Sequence, residues 1–106
     1  MSKLHITYHP NKRISKHYRT ENNKIHGVFK MYYDNGQLHE EIHYENGVMH
    51  GSCKGYYYYG SLAEETMYEN GKKNGISIRY YDNFNKCSEI VYKNDIPIKE
   101  TYYPYE

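Results

Sequence analysis

Tyr32-Tyr33-Asp34-Asn35-Gly36-Gln37-Leu38-His39-Glu40-Glu41-Ile42-His43-Tyr44-Glu45-Asn46-Gly47-Val48-Met49-His50-Gly51 decides how this chain folds. Two Asn-Gly pairs bracket a run rich in aromatic and apolar residues. Asn-Gly tolerates the positive φ that a type I′ hairpin turn needs, so each pair marks a reversal of a strand. Residues Val28 to Tyr33 and Leu38 to Tyr44 carry no helix cap and no helical period. They read as two antiparallel strands joined through Asn35 and Gly36, with Asn46 and Gly47 starting the next reversal.

The stretch recurs. Residues 28–51 and 52–75 share 12 of 24 positions without a gap. Gly27, Gly51 and Gly75 fall 24 apart, as do Tyr32, Tyr56 and Tyr80. The second copy turns at Gly60 and at Asn70-Gly71. Residues 76–99 follow more weakly, and Leu4, Ile6, Tyr8, Ile14, Asn22 and Gly27 place a first copy at 4–27. A fixed period of this length is the mark of a repeat architecture. The expected fold is all-β, a single 1–106 domain of four hairpin repeats (4–27, 28–51, 52–75, 76–99) and a C-terminal strand at 100–106. The whole forms an elongated, twisted, single-layer antiparallel meander.

Register follows from two-residue loops. Asp34 then faces Gln37, Tyr33 faces Leu38, and Phe29 faces Ile42. Across the second loop Tyr44 faces Met49 and Ile42 faces Gly51. Alternation places Phe29, Met31, Tyr33, Leu38, Ile42, Tyr44 and Met49 on one nearly continuous apolar face. Val28, Lys30, Tyr32, His39, Glu41 and His43 take the other, with Lys30 opposite Glu41 and Lys54 opposite Glu65. The glycine column is expected to leave room beside Ile42 and the Tyr44-type rings.

The recurring Tyr-Tyr-Asp-Asn-Gly-x-Leu-x-x-Glu-x-x-Tyr-Glu-Asn-Gly-x-x-x-Gly resembles the MORN repeat, and more narrowly the variant of bacterial antitoxin-like MORN proteins. Residues 32–51 and 56–75 carry it well. The third copy has Phe84 where glycine is expected and Asn94-Asp95 for Asn-Gly. The first has Asn11-Lys12 and Asn22-Asn23 at its turns. The resemblance implies an elongated sheet that serves protein–protein contact. It further implies an antitoxin or immunity protein, with a toxin as partner, or a homodimerising scaffold.

Composition narrows the chemistry. The 106 residues hold 14 Lys and Arg against 13 Asp and Glu, a net charge of +1, which does not suit a nucleic-acid wrapper. No apolar run of about 18 residues or leader-like segment is present, so a cytoplasmic protein without membrane contact is expected. No phosphate-binding, dinucleotide or nucleophile-elbow motif occurs, and no cofactor or enzymatic activity is expected. Cys53 and Cys87 fall in different columns, too few for a disulfide framework. His43 lies opposite His50 in this register, with His39 and Glu41 on the same face. The arrangement is not repeated at Met67 and Asn74, so solvent-facing polar residues are expected rather than a metal site. Glu40 and Glu64 share a face on next-but-one strands, too open for paired-carboxylate catalysis.

The anomaly is Tyr56-Tyr57-Tyr58-Tyr59-Gly60. Tyr58 and Tyr59 replace the Asp34-Asn35 pair and are expected to protrude at the sheet margin. Exposed tyrosines on a rigid frame suit a protein interface. Tyr58 and Tyr59, with the Tyr32, Tyr56 and Tyr80 ladder, are therefore the candidate protein-binding residues.

Overall fold

In a computed structural model that describes residues 1–106, the chain has no helix. Ten strands follow one another: β1 (Ser2–Tyr8), β2 (Ile14–Glu21), β3 (Lys24–Ile25), β4 (Gly27–Tyr32), β5 (Leu38–Glu45), β6 (Val48–Tyr56), β7 (Leu62–Glu69), β8 (Lys72–Tyr80), β9 (Lys86–Lys93) and β10 (Ile96–Tyr102). All pair antiparallel in one open sheet of order β1-β2-β4-β5-β6-β7-β8-β9-β10, with the short β3 also on β2. The molecule is a flat slab with extents of 44 × 32 × 13 Å. Each reversal is a few residues long, so neighbours in sequence become neighbours in space.

The two turns of each repeat differ. At Asn46-Gly47 both residues have positive φ (52° and 81°), and Asn70-Gly71 matches them. Asn22-Asn23 and Asn94-Asp95 keep the same geometry without glycine. These are the type I′ loops expected from the sequence.

The other turn is not type I′. At Asp34-Asn35-Gly36 only Gly36 has positive φ (89°). The Tyr33 amide donates to the Gln37 carbonyl at 2.8 Å, and the Gly36 amide donates to the Tyr33 carbonyl at 3.0 Å. This is a three-residue loop, a type I turn closed by one left-handed residue. Lys12, Gly60 and Phe84 hold the corresponding place, with φ of 72°, 101° and 73°.

The longer loop shifts the register. Phe29 faces Ile42 and Lys30 faces Glu41 as expected, but Tyr32 then faces Leu38, leaving His39 as an extra residue. Ser15, Ala63 and Cys87 are the extra residues of the other copies. Their spacing of 24 makes the β-bulge part of the repeat. Tyr33 therefore does not face Leu38. Leu38 joins Tyr32 on the opposite face from Phe29, because one added residue reverses the alternation beyond it.

A second irregularity lies near the other margin. Tyr44 faces Met49 as expected, yet Ile42 faces Cys53, not Gly51. His50, Gly51 and Ser52 thus lie opposite His43 alone. Asn74, Gly75 and Ile76 stand in the same way to Met67. The break between β3 and β4 at His26-Gly27 is the first copy of this feature. Gly27, Gly51 and Gly75 have φ of 92°, 102° and 107°. A Cβ on Gly27 would meet nothing within 4 Å, so this column is glycine for backbone conformation rather than for room beside a ring.

One face runs from aromatic to small. His5 stacks on Tyr18 and Tyr18 on Phe29, each at 4.8 Å between ring centroids. Phe29, Ile42, Cys53, Thr66, Ser77 and Ile90 continue the row strand by strand. The apolar face is therefore not continuous along the sheet. Thr66 and Ser77 are buried and share a 2.7 Å hydroxyl hydrogen bond, so neither is left unsatisfied. Ser88 is the third buried residue, and no hydrophobic side chain is fully enclosed. A single layer has no opposing layer to form a dry core.

Candidate interaction margin

Hydrogen bonds between successive repeats tie the turns of each margin together. Along the three-residue-loop margin, the Tyr33 hydroxyl donates to the Tyr56 carbonyl and the Tyr57 hydroxyl to the Tyr80 carbonyl, both at 2.5 Å. Tyr81 extends the series to the Tyr103 carbonyl at 2.7 Å, and His9 begins it with Nε2 at 2.7 Å from the Tyr32 carbonyl. Asparagine amides make a parallel series: Asn11 to Asp34, Asn35 to Tyr58, and Asn83 to Glu106, all to carbonyl oxygens. Along the other margin Gly47, Gly71 and Asp95 donate their amides to the Ile25, Met49 and Lys73 carbonyls. Each turn is thus bonded to the segment beside it, and this stiffens a sheet that lacks a core.

The second copy stands out on this frame. In the other copies an asparagine accepts, through Oδ1, the amide two residues on: Asn11 from Arg13, Asn35 from Gln37, Asn83 from Asn85. Tyr59 holds that place in the second copy and is 89% exposed. Tyr58, 46% exposed, packs edge-on to Tyr33 with ring centroids 5.2 Å apart. Its hydroxyl donates to Asp34 Oδ1 at 3.0 Å, and this bond to a carboxylate raises its pKa. Tyr58 and Tyr59 are themselves edge-to-face at 6.1 Å. The margin thus presents one free ring supported by one anchored ring.

Tyr32, Tyr56 and Tyr80 are half-buried, each at the strand end beside its loop. Their carbonyls are the acceptors of the tyrosine series. A depression of about 300 Å³ lies just inside the margin, lined in part by Tyr57, Tyr80, Tyr81 and Cys87. The sequence did not single out Tyr33, Tyr57 and Tyr81 as a bonded column. Their spacing of 24 was the available signal.

The remaining candidates separate. His43 and His50 are not cross-strand partners, because the irregularity at Gly51 moves His50 past His43. The His43 Nδ1–H donates to the Ser52 carbonyl at 2.9 Å, while His50 Nε2 lies 3.9 Å from Glu45. His39 sits in the bulge and stacks on Tyr33 at 4.1 Å. No three His, Cys, Asp or Glu side chains converge on one point. Glu40 and Glu64 share a face as expected, and the irregularity at Gly51 brings them onto one row on either side of Gly55. Burial, with those two carboxylates nearby, pushes the Cys53 thiol up to about 11. Cys53 and Cys87 are both free thiols.

Residues 25–46 match the MORN repeat variant. That segment spans β4, the three-residue loop, β5 and the start of the next reversal, and residues 49–70 and 73–94 repeat its turns and bulge. MORN repeats are generally protein- or membrane-interaction modules and typically non-enzymatic. No curated protein and no solved structure matches the chain. No helix of the structure is long and apolar enough to cross a membrane.

Proposed function

We propose that this chain is a non-enzymatic protein-binding module whose partner docks on the margin around Tyr58 and Tyr59. Tyr32, Tyr56 and Tyr80 extend the contact along the adjoining face. The observation that carries this reading is the exchange at Tyr59. A self-satisfying turn asparagine is replaced by a fully presented ring, held on a hydrogen-bonded frame that loses little entropy on binding. The finer form of the reading is toxin neutralisation in the cytoplasm by an antitoxin or immunity protein. It draws on the resemblance of the repeat, which is an analogy of fold and not of site.

Co-purification from the native source, followed by calorimetric titration of the captured protein, tests the reading. Tyr59→Asn is expected to weaken binding by at least about 2 kcal/mol if the ring is a hot spot. Undiminished affinity in the folded variant moves the site off this margin. A chain that captures nothing and forms a stable dimer by light scattering is instead a homodimerising scaffold.

A further inference from the structure

The β1 edge of the sheet is a second surface, separate from the loop between β6 and β7 that carries Tyr58 and Tyr59. β1 pairs with β2 on one side only, so alternate N–H and C=O groups of Ser2–Tyr8 point away from the sheet. The opposite edge is guarded. β10 contains Pro97, which has no amide hydrogen, and an extra residue at Ile98 that interrupts its register. β1 contains no proline, and the irregularity beside it belongs to β2. Leu4, Ile6 and Tyr8 alternate onto one face of β1 and are 42%, 37% and 61% exposed.

Charge concentrates at the same edge. Residues 1–33 hold seven of the 14 Lys and Arg but one of the 13 acids, Glu21. Their net charge is +6, and that of residues 34–106 is −5. The three Lys/Arg–carboxylate pairs of the chain (Lys54–Glu65, Arg79–Glu64 and Lys86–Glu89) and the His50–Glu45 contact all lie beyond Tyr44. Lys3, Lys16 and Arg19 are exposed beside the free strand. Arg19 faces Leu4 and Lys16 faces Thr7 across the β1–β2 pair, so the two stand on opposite faces of the edge.

We propose that β1 receives an extended acidic segment of a partner protein as an added strand. The backbone edge supplies the hydrogen bonds of strand addition, and Leu4, Ile6 and Tyr8 supply apolar contact for alternate residues of the incoming strand. Acidic residues of that strand meet Lys3 and Lys16 on the face opposite Leu4, Ile6 and Tyr8, and Arg19 adds positive charge beside the apolar contacts. Charge decides between this occupant and a second copy. A second β1 brings its own Lys3, Lys16 and Arg19 against these, and like charges across a strand pair are destabilising.

The test uses the full chain and a synthetic peptide of alternating valine and glutamate, as long as β1. Amide hydrogen exchange is expected to show added protection at the outward-pointing, alternate amides of β1 on peptide addition. The triple variant K3E/K16E/R19E, altered only at exposed positions, is expected to bind at least about tenfold more weakly. The binding is also expected to weaken as salt rises. A valine–lysine peptide that binds equally well overturns the proposal. So does protection confined to β10 or the turn margins, or no binding at about millimolar peptide. If light scattering shows a dimer whose β1 amides are already protected, the occupant is a second copy and the acidic strand is wrong.

Discussion

The Tyr33 hydroxyl lies 2.5 Å from the carbonyl oxygen of Tyr56, one repeat further along the margin, and donates its hydrogen to it. Tyr57 does the same to Tyr80. In a sheet with no enclosed hydrophobic side chain, these bonds link adjacent hairpins where ladder pairing ends. Tyr57→Phe keeps the ring and removes only the donor. It is expected to destabilise the fold by about 0.5–1.5 kcal/mol, read as a lowered urea midpoint.

Phe84 holds the left-handed place that Gly36 and Gly60 hold in their loops, at φ 73° and with 74% of its surface exposed. Its ring offsets little of the backbone strain. Phe84→Gly is expected to stabilise by about 1 kcal/mol. Gly36→Val, the reverse change, is expected to cost about 1–3 kcal/mol. Equal midpoints for wild type and both variants would contradict the loop geometry.

Tyr59→Asn offers the turn the acceptor that Asn35 gives to the Gln37 amide, and is expected to raise stability by about 0.5–1.5 kcal/mol while partner binding weakens. Tyr58→Asp is different. It removes the bond to Asp34 and sets a second carboxylate beside it, so this change is expected to destabilise. Restoring the whole Asp-Asn pair is therefore a poorer test than changing Tyr59 alone. Thermal unfolding of the two single variants should shift in opposite directions.

Gly51 and Gly55 stand on the same strand for different reasons. Gly51 has φ 102°, whereas Gly55 has no left-handed φ and open space where a Cβ would lie. Gly51→Ala is expected to cost about 1–3 kcal/mol. Gly55→Ala is expected to stabilise by about 0.5–1 kcal/mol, since glycine within a strand is entropically unfavourable. Chemical denaturation of the pair decides it.

The Cys53 thiol is raised from its ordinary value near 9 to about 11, first by burial and then by Glu40 and Glu64. The folded chain therefore holds this proton more tightly than the unfolded chain. The contribution is fully present below about pH 9 and is lost as pH rises towards 11. Burial raises Tyr44 and Tyr68 as well, with the same sign at higher pH. Urea midpoints are expected to fall above about pH 9, less steeply in Cys53→Ala. A midpoint that rises through this window would show the thiol to be better stabilised as thiolate.

Much of the sheet was legible along the chain. The Asn46-Gly47 loop, the facing of Phe29 with Ile42 and of Lys30 with Glu41, and the 24-residue spacing follow from local chemistry that each repeat carries. The bulges were not, because Ser15, His39, Ala63 and Cys87 share a position and no chemical property. A clue lay in Lys12 and Phe84, which occupy the column of Gly36. A type I′ loop asks for two positive-φ residues, and these copies offer neither glycine nor a tolerant pair. The pairing of His43 with His50 fails at a different irregularity: it assumes uninterrupted alternation through Gly51, where three residues stand opposite His43 alone. The candidate margin at Tyr58 and Tyr59 was visible as a break in the repeat, whereas the bonded column of Tyr33, Tyr57 and Tyr81 needed neighbouring hairpins side by side.

By itself the sequence determined an antiparallel meander, its period and its points of reversal, since turn residues and strand-forming side chains act within a few positions of themselves. Only the tertiary structure decided which face Leu38 takes, why Gly51 must be glycine, how Thr66 and Ser77 come to be enclosed, and that β1 is the unguarded edge. Facing depends on counting residues between interstrand hydrogen bonds. One bulge changes that count without changing the pattern of residues on either side of it.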